Sequence, residues 1–248
     1  MFKKVVCQMV GFGALLGCLP LEAAKDGWYV QAGVDYAHAA GSSATRTPNS
    51  TSSSPWSGNL GGVDFVGGYK QFFGKKRHWG VRYYGLINLQ GGGFSQKTGN
   101  KYPTQGPVGN FFYGVGIDAL WTFYHNKGSE FGVFVGMAVG GSSWALGAGK
   151  ANDVCQTRVN GVNCVSTSNF YFQQAIGNPS VVYSPTFVQW MFNFGMRANL
   201  GAHNGIEVGF RVPAINDPYY TQTKGDTSTF TYSFRRVIDL YANYVYNF

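Results

Sequence analysis

Most constraining is where the charges fall within a period-two alternation of apolar and polar residues. From Trp28 to Phe248 the chain breaks into segments in which every second residue is large and apolar. Such alternation marks β-strands whose two faces meet different surroundings. The charges keep to the polar parity: Asp35, Asp64, Asp118, Glu207 and Asp239 against Lys70, Arg82, Arg197, Arg211 and Arg235, five of each sign. Arg236 alone shares the apolar parity.

A soluble, lipocalin-like barrel would turn its apolar parity inward and cover its outside with charge. This chain is 44% hydrophobic, 17% aromatic and 12% charged, too little charge for that. The inverse arrangement has a physical reason. An Arg or Lys facing the bilayer midplane costs about 2–4 kcal/mol, whereas an inward charge pairs across the bore. Aromatic content argues against disorder, and the sequence lacks the apolar runs of about 18 residues that a helical membrane bundle needs. The net charge of +8 is not gathered into a nucleic-acid surface, because Lys75, Lys76 and Arg77 are the only basic cluster and fall in a short turn.

Eight segments alternate: Trp28 to Ala37, Val63 to Lys70, Trp79 to Gln90, Phe111 to Phe123, Phe131 to Gly140, Val188 to Leu200, Ile206 to Val212 and Phe230 to Phe248. Short turns at Gly74 to His78, His125 to Ser129 and Gly201 to Asn204 alternate with long connections. These run up to about Leu60, from Gly91 to Asn110, from Ser143 to Pro185, and from Val212 to the last segment. The pattern predicts an all-β, eight-stranded antiparallel up-and-down transmembrane β-barrel with four long extracellular loops, short periplasmic turns and both termini periplasmic. Trp28, Trp79, Trp121, Tyr244 and Tyr246 stand near strand ends, where interfacial girdles form. Arg236, twelve residues before the C-terminus, would sit about 28 Å up, beyond a roughly 25 Å apolar band, and reach headgroups.

Residues 1–23 have the parts of a secretory signal: Lys3 and Lys4, an apolar centre from Val10 to Leu19, and small residues at Ala23 and Ala24. Residues 24–248 then form one barrel domain. Leu15-Leu16-Gly17-Cys18 is close to a lipoprotein-processing site, which leaves lipidation of Cys18 as the alternative. Cys155 and Cys164 remain in the exported part, in a Ser, Asn and Gly-rich stretch. An oxidising location permits a bridge that stabilises by roughly 2–3 kcal/mol; the competing metal site has only Asp153 nearby as a further ligand.

Enzymatic candidates are sparse. A lipid-modifying hydrolase would need His38 near Ser42 or Ser43, with no carboxylate placed to orient it. His78, His125 and His203 fall in the short turns, where solvation is the simplest account and a pH response the alternative. Gly114-Val-Gly116 and Gly147-Ala-Gly-Lys150 lack the strand and helix context of nucleotide sites. No cofactor is implied. The inward ions are expected to form an interior network, with Arg82 near Asp64 or Asp118 and Arg211 near Asp239, among the inward rings of Tyr29, Tyr84, Phe112, Phe134 and Tyr241. In the third long connection, Phe170, Tyr171 and Phe172 are either a contact surface or part of a lid.

The last strand, Tyr241-Ala-Asn-Tyr-Val-Tyr-Asn-Phe248, carries alternating aromatics at Tyr244 and Tyr246 and ends in Phe248, like the signal read by the barrel-assembly machinery. With Asp26-Gly-Trp-Tyr-Val-Gln-Ala-Gly33 it resembles the Helicobacter outer membrane protein family. The resemblance implies a Gram-negative outer-membrane barrel, with outer-membrane lipids and lipopolysaccharide as neighbours. The long loops themselves point to a non-enzymatic role in adhesion or envelope contact, with a host surface receptor or glycan as partner; a small-solute porin, as other family members are described, is the alternative.

Overall fold

The computed structural model describes residues 26–74, 77–97, 102–126, 129–159, 163–225 and 228–248. The signal segment, Cys18, Lys75 and Lys76 lie outside the described residues. Among the described residues, fourteen strands and one helix follow in chain order. The five that open the chain are β1 (Gly27–Thr47), β2 (Ser50–Phe73), β3 (Trp79–Gln96), β4 (Thr104–Asn126) and β5 (Ser129–Leu146). Next come the two-residue strands β6 (Lys150–Ala151), β7 (Val154–Cys155), β8 (Arg158–Val159) and β9 (Asn163–Cys164), then α1 (Thr167–Ala175). The rest are β10 (Val181–Tyr183), β11 (Thr186–Leu200), β12 (Asn204–Pro213), β13 (Asp217–Lys224) and β14 (Ser228–Asn247).

Eight strands close an antiparallel ring in the order β1-β2-β3-β4-β5-β11-β12-β14, with β14 pairing back onto β1. The alternation dictates which face is which. Val34, Val115, Val135 and Met196 are more than 60% exposed, while Asp64, Asp118, Arg82 and Arg211 on the opposite parity are buried. Closure leaves the eight-stranded ring without an edge, so the backbone of each ring strand is paired without water, as hydrocarbon demands.

Inward glycines make room for the interior groups. A Cβ on Gly136 would lie 2.1 Å from Asp118 Oδ1, and one on Gly116 would lie 2.3 Å from Tyr84 Cζ.

Three of the four long connections are corrected. β1 and β2 stay in register from Gly27↔Lys70 to Thr47↔Ser50, so the Ser/Thr-rich stretch is a hairpin turning at Pro48-Asn49. β3 and β4 likewise pair up to Gln96↔Thr104. The fourth connection is a step at residues 214–216 followed by β13, which pairs with β14 from Asp217↔Phe234 to Lys224↔Ser228. Above the lipid the outward face meets water, and at the tips of β1 and β2 the inward face does too. The apolar alternation therefore disappears there although the hydrogen-bonded ladder continues.

The parity of β14 is corrected too. Its register against β1 slips at His38/Ala39, where Ile238 and Arg236 face consecutive residues and Val237 is extra. This bulge inverts the alternation above it. Arg236 is therefore buried and Tyr232 and Phe234 point inward, whereas Arg235 leaves the interior and donates to Ala214 O at 3.0 Å.

Candidate functional site

The middle of the bore is a hydrogen-bonded ionic lattice. Arg82 on β3 spans Asp118 on β4 (2.7 Å) and Glu207 on β12 (2.5 Å). Arg211 holds Asp64 through two bonds, Nη1 to Oδ1 at 3.0 Å and Nη2 to Oδ2 at 2.5 Å, with Asp239 at 3.5 Å. Asp64 is thus the main partner of Arg211, not of Arg82. Arg236 joins Asp239 (3.3 Å) and donates to Asn88 Oδ1 (2.8 Å), while Asn88 donates to Asp35. Gln31 and Asn243 link the two halves: Gln31 donates to Glu207 (3.2 Å), and Asn243 donates to Gln31 (3.1 Å) and to Asp64 (2.8 Å).

Rings fill the gaps between ions. The Arg211 guanidinium lies 3.9 Å from the Tyr241 ring centre and that of Arg82 lies 4.4 Å from Phe134, a contact that strengthens once desolvated. Nearer the termini, Arg197 faces Glu130 at 3.6 Å and donates to Thr122, and Lys70 donates to Asn247. Glu130 and Arg236 are members that sequence reasoning missed. Glu130 shares the inward parity of Gly132 and Phe134, a signal hidden by its place beside a turn; the Val237 bulge left no signal for Arg236.

At the end away from the termini, an aromatic plug closes the interior. Trp56, Phe94, Trp144, Tyr219, Tyr232 and Phe234 are all nearly inaccessible. Phe234 is their hub, with ring centres 5.0 Å from Trp56, 4.8 Å from Trp144 and 5.0 Å from Tyr219. Helix α1 lies over it. Ser166 caps the helix by accepting from Asn169 N (3.1 Å), and Ser168 accepts from Leu146 N and meets the Tyr219 hydroxyl, both at 2.7 Å. Tyr171 packs 4.3 Å from Tyr220 and 5.6 Å from Tyr232, so it is built into a lid and also lines the cleft beside it. Phe170 meets Tyr171 edge-on, and Phe172 is the exposed ring of the three.

Cys155 and Cys164 form a disulfide that gathers β6 to β9 beside this lid. Between α1 and the raised β13/β14 hairpin lies a cleft of about 370 Å³, lined by Tyr171, Gln174, Tyr220, Gln222, Lys224 and Phe230 among others.

Asp217, at the foot of β13, is 1% exposed, and neither carboxylate oxygen has a hydrogen-bond partner. It stands beyond the lipid-facing band, whose last apolar residue on β12 is Val212. Burial alone pushes its pKa up to about 7. Asp217 escaped sequence reasoning because it fell in a supposed loop.

The other candidates do not assemble into a reactive site. His38 bonds Asn59 Oδ1 (2.9 Å), and Ser43 accepts from Gln96 (2.8 Å). In the turns, His78 meets Thr122 O (2.9 Å), His125 meets Glu130 (3.3 Å) and His203 meets Asn247 O (2.6 Å). Tyr244, Tyr246 and Phe248 face outward, and Tyr246 stacks on His203. Among the described residues no group of three His, Cys, Asp or Glu side chains is placed to hold a metal ion.

A closed ring with an apolar exterior, an ionic bore and an aromatic C-terminal strand defines the class: an outer-membrane β-barrel. Residues 64–248 match the Helicobacter outer membrane protein family, and the chain belongs to it. Its fold is similar to that of OprG from Pseudomonas aeruginosa, at 12% identity and TM-score 0.48, over 90% of this chain and 97% of that one. It is also similar to Ail, the attachment invasion locus protein of Yersinia pestis, at 11% identity and TM-score 0.30, over 89% and 99% of the two chains. A second Ail structure, in complex with the heparin analogue sucrose octasulfate, aligns at 11% identity and TM-score 0.29, over 87% and 98%. No curated protein matches the chain.

Proposed function

We propose that this protein is a non-enzymatic outer-membrane barrel that holds its lidded mouth at the cell surface for contact with a host surface receptor or glycan, its termini in the periplasm. The observation that carries the reading is the filled bore. An eight-stranded interior has room for side chains and little else, and here the ionic lattice and the aromatic plug lie in series along it. The investment in structure is at the mouth, which carries raised hairpins, a disulfide and a helix, and where α1, β13, β14 and the tip of β1 line an aromatic and amide-bearing cleft. Loops on a rigid scaffold are where binding residues concentrate.

The test replaces residues 152–178 by a short linker and measures attachment of the bacteria to epithelial cells. Attachment falls while the barrel still shows its folded, heat-modifiable mobility on gels. Reproducible single-channel steps in planar bilayers, abolished by substitutions at Arg82, Arg197 and Arg211, would instead make the protein a small-solute channel.

A further inference from the structure

An ionised carboxylate cannot stay buried without a partner, so something must neutralise Asp217. β13 packs against β10, β11 and β14, and the charged groups those strands offer are committed elsewhere. Arg235 donates to Ala214 O, Arg236 pairs with Asp239, and Arg197 lies at the far end of β11 against Glu130. The other titratable groups that β10, β13 and β14 bring to the plug are phenols, Tyr183 on β10, Tyr219 and Tyr220 on β13 itself and Tyr232 on β14, while Lys224 stands at the opposite end of β13 in the cleft lining. Tyr183 and Tyr219 are hydrogen-bonded to each other at 3.1 Å, and the Tyr232 hydroxyl has no partner.

A metal ion would need further anionic or imidazole ligands, and no such group of three exists among the described residues. An organic cation would need space inside the aromatic cluster. The rings around Phe234 are in direct contact at 4.8–5.3 Å between centres, which leaves none. What is left is a proton.

We propose that the mouth of this barrel is closed by a proton on Asp217. The position gives the proton leverage. Asp217 sits where β12 gives way to β13 after the step at residues 214–216, and its backbone pairs with Phe234, the hub of the plug under α1. When the proton leaves, the carboxylate must draw in water or move out to it. Either movement shifts β13 away from the plug and loosens the lid.

The sign follows from linkage. The closed form holds the proton up to about pH 7, while an open, solvated Asp217 releases it near its ordinary value of 3.8. Below both values the proton is bound in either form and closure is fully favoured. Between them the closed form carries one more proton, so the open-to-closed ratio rises about tenfold per pH unit, and it levels off above about pH 7.

Hydrogen exchange of the refolded full barrel in lipid vesicles, corrected for intrinsic amide rates, tests this from pH 4 to 8.5. Opening of β10, α1 and β13 is expected to rise with that slope and then plateau. The lower halves of the barrel strands stay flat. In Asp217→Asn the mouth is as protected at pH 8 as the wild type is at pH 4, and the profile is flat. His38→Gln keeps the wild-type profile, because His38 faces Asn59 and not the plug. A flat profile in the wild type overturns the proposal without reference to any variant. So does a slope that survives in Asp217→Asn or vanishes in His38→Gln.

Discussion

Arg211 shows how single residues hold this barrel. Its guanidinium meets Asp64 through two bonds and rests on the Tyr241 ring, and all three side chains are buried in the bore. Removing one member of such a pair leaves the other charged and unmatched, at a cost of about 3–5 kcal/mol. Arg211→Met should lower stability by that much in urea unfolding from lipid vesicles followed by gel mobility. Adding Asp64→Leu should recover most of the loss. If the double variant is no more stable than the single one, the lattice is not what the ion pair supports. Gly136→Val is expected to lose about 1–3 kcal/mol in the same assay through overpacking, because its side chain would enter the space of Asp118. At this scale the inward parity of the ions was legible wherever alternation was unbroken, from Asp64 to Arg211, with Glu130 beside its turn the exception. It failed at Arg235 and Arg236, because one extra residue exchanges two faces and leaves no mark in composition.

Among the elements, the third long connection is the irregular one, and it is built in two parts. Helix α1 is anchored by Ser168 to the end of β5 and by Tyr171 to the plug, while the disulfide loop beside it carries Arg158. Trypsin added to intact cells is expected to cut at Arg158. The two fragments should stay together until a reductant is added, because the cut lies inside the Cys155–Cys164 loop. Cleavage that requires a permeabilised outer membrane would place this end in the periplasm and overturn the proposed orientation. Breaking the bridge with Cys155→Ser and Cys164→Ser should raise cutting in residues 150–165 and leave the barrel's own unfolding midpoint unchanged, since the bridge closes a loop outside the ring. The helix was not visible beforehand. Nine residues of Thr167–Ala175 with rings at consecutive positions have no 3.6-residue pattern, and the neighbouring plug is what makes them helical.

Over the entire barrel, alternation alone assigns hydrocarbon to the outside and ions to the inside. That separation costs about 2–4 kcal/mol per buried cation if reversed, so it is written into every ring strand, and with it came the eight strands of the ring and the outward placing of Tyr244, Tyr246 and Phe248. Strand pairing in three dimensions set the rest: three of the supposed loops are raised hairpins, Asp64 serves Arg211, and Trp56, Trp144 and Phe234 meet in a plug with Asp217 on the neighbouring strand. Those outcomes depend on which strands are neighbours and on where the ladder slips. Local alternation records which face a residue occupies, and carries no information about what stands across the bore.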